Sequence, residues 1–165
     1  MNYHVRLAEE TDIGAVQRIV YQSWHDTYEG IIPRSIQDAF LNKSYSNQTM
    51  LQRIELSSLY VVESDKRIEG FANFSRVSEE GISTLYAIYL YPDTQGNGMG
   101  TALLEYGIED LKPAFIQLNV EKENAKGMAF YKARGFKIIS EFTEDLSGHT
   151  LYTCTMELEV NRSSD

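Results

Sequence analysis

The feature that most constrains this chain is a run of six residues with three glycines, Gln95-Gly96-Asn97-Gly98-Met99-Gly100. A strand-like apolar segment ends just before it at Pro92, and apolar residues at helical spacing follow it up to residue 111. The chain therefore passes from a strand into a helix through a turn of small residues. The first N–H groups of such a helix lack partners within the helix, and the helix dipole adds partial positive charge. Because glycines carry no Cβ, the turn is suited to hold a phosphate group.

The segments on either side of this loop predict a sheet with helices packed on it. Three strands precede the loop, and the gaps between them are too short for a crossover helix, so they form an antiparallel meander. We therefore expect an α+β fold in a single domain over residues 1–165, with a mixed, mostly antiparallel sheet of about seven strands flanked by helices. The expected strands cover residues 3–7, 59–63, 67–77, 82–90, 114–120, 136–142 and 149–158, and the expected helices cover 13–28, 34–41, 46–57, 98–111 and 124–134.

Glycine spacing alone does not identify the ligand of the loop, because a turn without any ligand explains it equally well. A Walker-type nucleotide loop is excluded, since Thr101 follows Gly100 directly without the lysine that such loops need. A dinucleotide-binding fold is disfavoured, since its glycines follow the first strand of a parallel unit and these follow an antiparallel meander.

Two stretches of the chain resemble the motifs of one known family, the GCN5-related N-acetyltransferases (GNAT family). Within residues 88–104, Gln95, Gly98 and Gly100 match the family's acetyl-CoA motif, Gln/Arg-x-x-Gly-x-Gly/Ala. Residues 124–136 match its second motif at the expected separation, and the order of predicted elements agrees over nearly the whole chain. Residues 24–33 also look like a bacterial subgroup that includes polyamine acetyltransferases. The resemblance implies an enzyme that transfers an acetyl group from acetyl-CoA to an amine.

The resemblance also implies which residues bind acetyl-CoA. The loop would hold the pyrophosphate, and the backbone of Ile88 and Leu90 would pair with the pantetheine arm as an added strand does. Asn124 suits both a helix cap and a contact to pantetheine through its side-chain amide. Lys132 and Arg134 would lie near the phosphates, although a solvated helix face explains them equally well. The full set of expected acetyl-CoA-binding residues is Ile88, Leu90, Gln95, Gly96, Asn97, Gly98, Met99, Gly100, Thr101, Asn124 and Tyr131.

Tyr131 lies where the family places its catalytic tyrosine, and the resemblance implies that it is the general acid. The leaving thiolate has a conjugate acid with a pKa near 8.5. A phenol with a pKa of about 10 can protonate it in a modestly uphill step. The alternative is that Tyr131 and Phe130 only pack their helix against the sheet.

The chemistry also requires a general base, because an alkylamine with a pKa of about 10.4 is almost fully protonated near neutral pH. Many family members place a glutamate on the strand before the loop, but residues 83–86 of this chain hold no carboxylate. His25 has a suitable ordinary pKa, yet a single histidine at a helix end is more often structural. A water chain ordered by Tyr86 is an equal alternative.

Acceptor selection is expected in the N-terminal helices. Trp24, Tyr28 and Tyr86 would form an aromatic wall for an alkylammonium chain, with Asp26 and Glu29 as counter-charges. Trp24 also lies on the apolar stripe of its helix, where core packing alone explains it. The leading acceptor is a small-molecule primary amine, with a polyamine such as spermidine or spermine in first place. Alternatives are a protein or peptide N-terminus or lysine, an aminoglycoside, and a non-catalytic sensor that binds acyl-CoA without turnover.

The charge of the chain limits its other partners. A formal net charge of −9 argues against nucleic-acid binding, which needs basic residues. No apolar run reaches the roughly 20 residues of a membrane span, and residues 1–10 have no apolar signal region. The single cysteine, Cys154, has no disulfide partner and no metal-ligand spacing. We therefore expect a cytoplasmic protein without a metal site or membrane contact, and a homodimer through the edge of the last strand is an open alternative.

Overall fold

The computed structural model describes residues 2–160, and its central element is a seven-stranded sheet. The strands are β1 (Tyr3–Leu7), β2 (Ser58–Ser64), β3 (Arg67–Phe74), β4 (Ile82–Leu90), β5 (Phe115–Glu121), β6 (Lys137–Leu146) and β7 (His149–Glu159). The helices are α1 (Ile13–Tyr28), α2 (Arg34–Ser44), α3 (Asn47–Leu56), α4 (Met99–Leu111) and α5 (Ala125–Ala133), with short 3-10 turns at Glu10–Asp12 and Pro92–Thr94. The strand order is β1-β2-β3-β4-β5-β7-β6. These elements confirm the predicted α+β fold with a mixed sheet.

All neighbouring strands run antiparallel except β4 and β5, which are parallel. Their pairing is short, because it extends only from Ile82 opposite Phe115 to Thr84 opposite Gln117. β4 nevertheless continues to Leu90 and stays paired with β3 on its other side. The two parallel strands therefore part beyond Thr84, and this gap positions the site described below.

The core lies in two layers, one on each face of the sheet. On β2 the side chains alternate, as the pleat requires: Val61 packs in the layer of α1, and Tyr60 and Val62 pack in the layer of α4. Ile19 of α1 and Leu103 of α4 are fully buried in their respective layers. Each buried side chain of this size contributes roughly 1.5–3 kcal/mol relative to exposure, so both layers hold the sheet in place.

Two strand boundaries differ from the sequence prediction by three residues or more. β3 ends at Phe74 and not at residue 77, because the register shifts there and the Ser75 hydroxyl accepts the N–H of Thr84 at 2.8 Å. β6 extends to Leu146 and not to residue 142, because its pairing with β7 continues up to the turn. Ser147 and Gly148 form that turn with φ of 49° and 86°, values that suit a tight hairpin.

Two helical glycines provide a matched test of packing between α4 and the sheet. A Cβ on Gly107 would overlap the ring of Phe74, whereas the nearest atom to a Cβ on Gly14 is Arg18 Nη1 at 3.4 Å. We expect Gly107→Ala to lower the free energy of unfolding by about 1–3 kcal/mol through overpacking. Gly14→Ala should raise it by a few tenths to about 1 kcal/mol, because alanine favours the helix.

Urea unfolding followed by circular dichroism measures both changes on one scale. Equal free energies of unfolding for Gly107→Ala and the unmodified chain would show that the Phe74 ring can move aside without loss of stability. That result would contradict tight packing between α4 and β3.

Candidate active site

A cavity of about 480 Å³ opens where β4 and β5 part, and we call it the central cavity. α1 contributes Ser23, Thr27 and Tyr28 to its lining, and β4 contributes residues 85–90. The glycine loop, the end of β5 and one face of α5 complete the walls. The cavity therefore connects the loop with the N-terminal helices.

The glycine loop presents free backbone N–H groups at the start of α4. Gly98 stands at the N-cap with φ 82° and ψ −1°, a left-handed conformation that favours glycine, and Gly96 has φ 89°. The first helical hydrogen bond runs from the N–H of Ala102 to the carbonyl of Gly98 at 3.0 Å. The N–H groups of the three residues before Ala102 thus have no partner within the helix. A Cβ on Gly100 would lie 3.1 Å from Cε1 of Phe130, so this glycine also lets α5 pack close to α4.

The edge of β4 that faces away from β3 is open along residues 85–90. Tyr91 donates its N–H to the carbonyl of Glu69 on β3 at 3.0 Å, so by alternation the backbone groups of Ile88 and Leu90 point to the opposite side. The Leu90 carbonyl accepts the hydroxyl of Ser23 at 2.5 Å. Ser23 therefore fixes α1 to the end of β4 and occupies one acceptor on this edge.

Asn124 caps α5 as predicted. Its side-chain Oδ1 accepts the N–H of Gly127 at 2.9 Å, and the residue also lines the central cavity. A Cβ on Gly127 would meet Nδ2 of Asn124 at 2.6 Å, so the cap requires a glycine there. The cap leaves the Asn124 amide group beside the cavity.

Three tyrosines of the lining, Tyr28, Tyr89 and Tyr131, lie close enough to affect one another's ionisation. Burial is the largest cause that raises the pKa of Tyr131, and the neighbouring Tyr89 adds to it. Burial likewise raises the pKa of Tyr28 well above its ordinary value, with Tyr89 and Tyr131 adding and the Asn124 side chain opposing. All three hydroxyls are therefore protonated at neutral pH and available as hydrogen-bond donors.

Two residues that the sequence suggested, Trp24 for the acceptor wall and His25 for the general base, stand away from the cavity. Trp24 is 8% exposed, stacks on Phe40 with ring centroids 4.9 Å apart, and donates its indole N–H to the Tyr89 hydroxyl at 3.1 Å. Trp24 therefore packs behind Tyr89 and does not itself line the cavity. His25 pairs with Asp38 of α2 at 2.7 Å and does not line the cavity. The structure therefore does not support His25 as a base.

Positive charge in the lining comes from Lys126 and Arg134. The Nε and Nη2 groups of Arg134 donate to Oγ1 of Thr101 at 3.0 and 2.6 Å, and Nη1 donates to the carbonyl of Phe130 at 3.0 Å. Its guanidinium also lies 4.0 Å from the centroid of the Phe130 ring. Arg134 thereby ties the end of α5 to the first turn of α4, beside the glycine loop, whereas Lys132 does not line the cavity.

Negative charge is absent from the lining over residues 2–160, since no aspartate or glutamate is among its residues. Asp26 and Glu29, which were expected to supply counter-charge, lie outside it. In the same part of the chain, no three His, Cys, Asp or Glu side chains are grouped so as to hold a metal ion. None of the helices described is long and apolar enough to cross a membrane.

The structure brings most of the predicted site residues together. The expected acetyl-CoA-binding residues that line the central cavity are Ile88, Leu90, Gln95, Gly96, Gly98, Gly100, Thr101, Asn124 and Tyr131. Asn97 is exposed and Met99 is 1% exposed in the core, so neither side chain lines it. Of the expected acceptor residues, Tyr28 and Tyr86 line the cavity, and Tyr86 is 57% exposed.

Sequence reasoning missed several lining residues, among them Ser23, Thr27, Tyr89, Asn119 and Lys126. Two of them had a local signal: Tyr89 stands between Ile88 and Leu90 on the strand that carries the first motif, and Lys126 lies within the second motif at 124–136. Ser23 and Thr27 become neighbours of the cavity only through the packing of α1 on the sheet, and Asn119 only through the position of β5 beside β4.

Comparison with known proteins identifies the family. The Acetyltransferase (GNAT) family matches residues 18–136 of the chain. The N-acetyltransferase YuaI of Bacillus subtilis is 31% identical over 150 residues, which cover 87% of this chain and 86% of YuaI. Spermidine N(1)-acetyltransferase of Thermoplasma acidophilum is 24% identical over 147 residues, which cover 84% of this chain and 90% of that protein. The crystal structure of the PaiA N-acetyltransferase of Thermoplasma acidophilum with coenzyme A has a TM-score of 0.83 at 22% identity, over 97% of this chain and 100% of that one.

This chain therefore belongs to the GNAT family of acetyltransferases. It is an acetyl-CoA-dependent N-acetyltransferase, with acetyl-CoA as its co-substrate. The central cavity fits that co-substrate on three counts. Gly96 and Gly98 leave the loop clear of side chains, the edge of β4 offers unpaired backbone groups, and Arg134 adds a cation beside the loop.

The buried tyrosines predict a loss of stability in alkaline solution. Burial is the largest cause of a raised pKa at five of them, Tyr28, Tyr45, Tyr60, Tyr89 and Tyr131. The folded state keeps these protons above pH 10, where the unfolded state releases them, so the free energy of unfolding should fall as the pH rises above about 10. Each unit of pKa difference corresponds to about 1.4 kcal/mol.

Urea unfolding at a series of pH values between 8 and 11 measures how steeply the free energy of unfolding falls with pH. Tyr45→Phe should reduce the fall in stability with pH, because it removes one buried hydroxyl whose pKa burial raises, and Tyr86→Phe at an exposed position is the matched control. A flat stability over this range would contradict the raised pKa values.

Proposed function

We propose that this protein acetylates a primary amine of a small molecule, with a polyamine such as spermidine as the leading acceptor. The observation that carries the proposal is the group of Tyr28, Tyr89 and Tyr131 side chains beside the open edge of β4. Aromatic faces and phenol hydroxyls attract alkylammonium groups through cation–π contacts and hydrogen bonds. The likeness to a spermidine acetyltransferase supports the choice of a polyamine.

Acetyl-CoA supplies the activated acetyl group, as a thioester. We propose that the N–H groups at the start of α4 hold its pyrophosphate, with Arg134 as the neighbouring cation. Both backbone groups of Ile88 and the N–H of Leu90 would pair with the pantetheine arm. The Leu90 carbonyl is not included, because it already accepts the Ser23 hydroxyl.

In the transfer step, the amine nitrogen attacks the thioester carbonyl, the C–N bond forms and the C–S bond breaks. An acceptor that enters as an ammonium cation first releases one proton to solvent and so becomes a nucleophile. After the attack the nitrogen loses a second proton, and the departing sulfur gains one. Tyr131 lines the cavity and keeps its proton at neutral pH, so we propose it as the donor to that sulfur.

The raised pKa of Tyr131 refines its proposed role. A free phenol protonates a thiolate at a cost of about 2 kcal/mol, given pKa values near 10 and 8.5. Because burial raises the pKa of Tyr131, the transfer costs more than that. We therefore propose that Tyr131 acts first as a hydrogen-bond donor to the sulfur and releases its proton only as the C–S bond breaks.

The proton from the amine requires another route, since no carboxylate lines the cavity within the described residues. We propose a water relay that starts beside the Tyr86 hydroxyl, which is exposed at the cavity. This interpretation replaces His25, which is engaged with Asp38.

An acceptor panel tests the proposed function. Release of free thiol from acetyl-CoA is followed with spermidine, spermine, short diamines and peptides with free N-terminal or lysine amines. We expect turnover with the small amines and highest kcat/KM for a polyamine. Turnover with peptides alone would favour a peptide acetyltransferase, and binding of acetyl-CoA without turnover across the panel would favour the sensor.

Substitution of Tyr131 tests the proposed donor. Tyr131→Phe should lower kcat by about 100-fold, within the range typical of general acid–base catalysis, and leave the KM for acetyl-CoA unchanged within about twofold. Steady-state kinetics over a pH series measure both values. Tyr106→Phe, a change on the exposed side of α4, is the matched control and should leave kcat unchanged. Full turnover of Tyr131→Phe with an unaltered pH profile would remove Tyr131 from the mechanism.

A further inference from the structure

Among the described residues, three carboxylates are buried, and one of them lacks a basic partner. Asp12, Glu69 and Glu121 are 7%, 7% and 6% exposed. Asp12 pairs with Arg6 at 2.8 Å, and Glu69 pairs with Arg67 at 2.9 Å. No Lys, Arg or His within residues 2–160 lies within 4.0 Å of the Glu121 carboxylate. Since a buried charge is costly unless it is paired or hydrogen-bonded, Glu121 requires an explanation.

Backbone N–H groups hold the Glu121 side chain. Oε2 accepts the N–H of Glu123 at 2.6 Å, and Oε1 accepts the N–H of Tyr152 on β7 at 3.2 Å. The carboxylate thus bridges the turn between β5 and α5 to the neighbouring strand. Two N–H donors are enough to orient the carboxylate but add no positive unit charge, so its negative charge is not cancelled locally.

Glu121 lies between two residues of the cavity wall. Val120 and Asn124 both line the central cavity, and the N–H of Asn124 donates to the Glu121 carbonyl at 3.0 Å. By strand alternation the Glu121 side chain lies on the same face of β5 as Asn119, which is also part of the lining. Glu121 is close enough to Tyr28 for its charge to add, as a smaller effect than burial, to the raised pKa of that hydroxyl.

We propose that Glu121 is a positioning residue that makes the Tyr28 side of the cavity negative and thereby selects an acceptor with a positive charge. The inference rests on the proposed acetylation of an amine and deepens it, because it names the charge of the accepted group. The lining contributes no carboxylate of its own, so Glu121 acts through Tyr28 and Asn124 without touching the acceptor. The cations of the lining are Arg134, held at Thr101, and Lys126, whose side chain is exposed on the first turn of α5.

The test compares two acceptors that differ in charge at neutral pH. A primary alkylamine enters as a cation, and an arylamine enters neutral. In Glu121→Gln, the ratio of kcat/KM for the alkylamine to kcat/KM for the arylamine should fall about tenfold. That is the order expected for a unit charge acting over roughly 10 Å at an effective dielectric constant of about 20. The KM for acetyl-CoA should stay unchanged.

The control variant is Glu123→Gln, which removes the same charge from an exposed position in the same turn. In this variant the ratio of kcat/KM for the alkylamine to kcat/KM for the arylamine should match the ratio of the unmodified protein. Equal losses for both acceptors in Glu121→Gln would mean that Glu121 only supports the turn, and the inference would be overturned. If the unmodified protein turns over no amine, the proposed function fails and this inference with it. If the unmodified protein acetylates amines but Glu121→Gln leaves the alkylamine-to-arylamine ratio of kcat/KM unchanged, the inference is overturned and the proposed function stands.

A second measurement uses the unmodified protein, so it does not depend on the folding of Glu121→Gln. A trimethylammonium alkane cannot be acetylated, and the tert-butyl alkane of the same shape is neutral. Both compounds are measured as competitive inhibitors against the amine. The cation should bind about tenfold more tightly than its neutral isostere. Equal inhibition constants would overturn the inference.

Discussion

The central cavity exists because β4 and β5 are hydrogen-bonded only from Ile82 opposite Phe115 to Thr84 opposite Gln117. A complete parallel ladder would give every inward backbone group of β4 a partner on β5. Beyond Thr84 that partner is missing, and polar backbone groups in a partly buried place need another one. Ser23 supplies it for the Leu90 carbonyl, and the co-substrate's amide-bearing arm suits the remaining groups. The gap in the sheet therefore determines where the cavity opens and where α1 attaches, and it carries the proposed site for acetyl-CoA.

The same gap separates the site into a backbone part and a side-chain part. The loop and the open edge of β4 present mainly N–H and C=O groups, whose positions depend on the fold more than on side-chain identity. The other walls present the side chains of Tyr28, Tyr89 and Tyr131 from three different elements. Substitutions on α1 or β4 can consequently change the proposed acceptor side while the proposed acetyl-CoA side of the cavity stays intact.

Much of the fold and of the loop side of the cavity was predictable, because both depend on local sequence. Short gaps forced an antiparallel meander, and the glycine loop and the Asn124 cap are recognisable in a few consecutive residues. The acceptor side depends on long-range packing and was predicted less well. Tyr28 and Tyr86 line the cavity as expected of the aromatic wall, but the sequence pattern could not show that Trp24 packs behind that wall. The single-domain extent, the cytoplasmic location and the homodimer stay predictions.

Trp24 has a consequence for how this protein can be observed. It is the only tryptophan of the chain, its indole N–H donates to the Tyr89 hydroxyl at 3.1 Å, and Tyr89 lines the central cavity. Any occupant that engages or displaces the Tyr89 hydroxyl changes the polarity around the indole ring. Since no second indole contributes to the signal, the intrinsic fluorescence of the protein reports on a single hydrogen bond at the back of the active site.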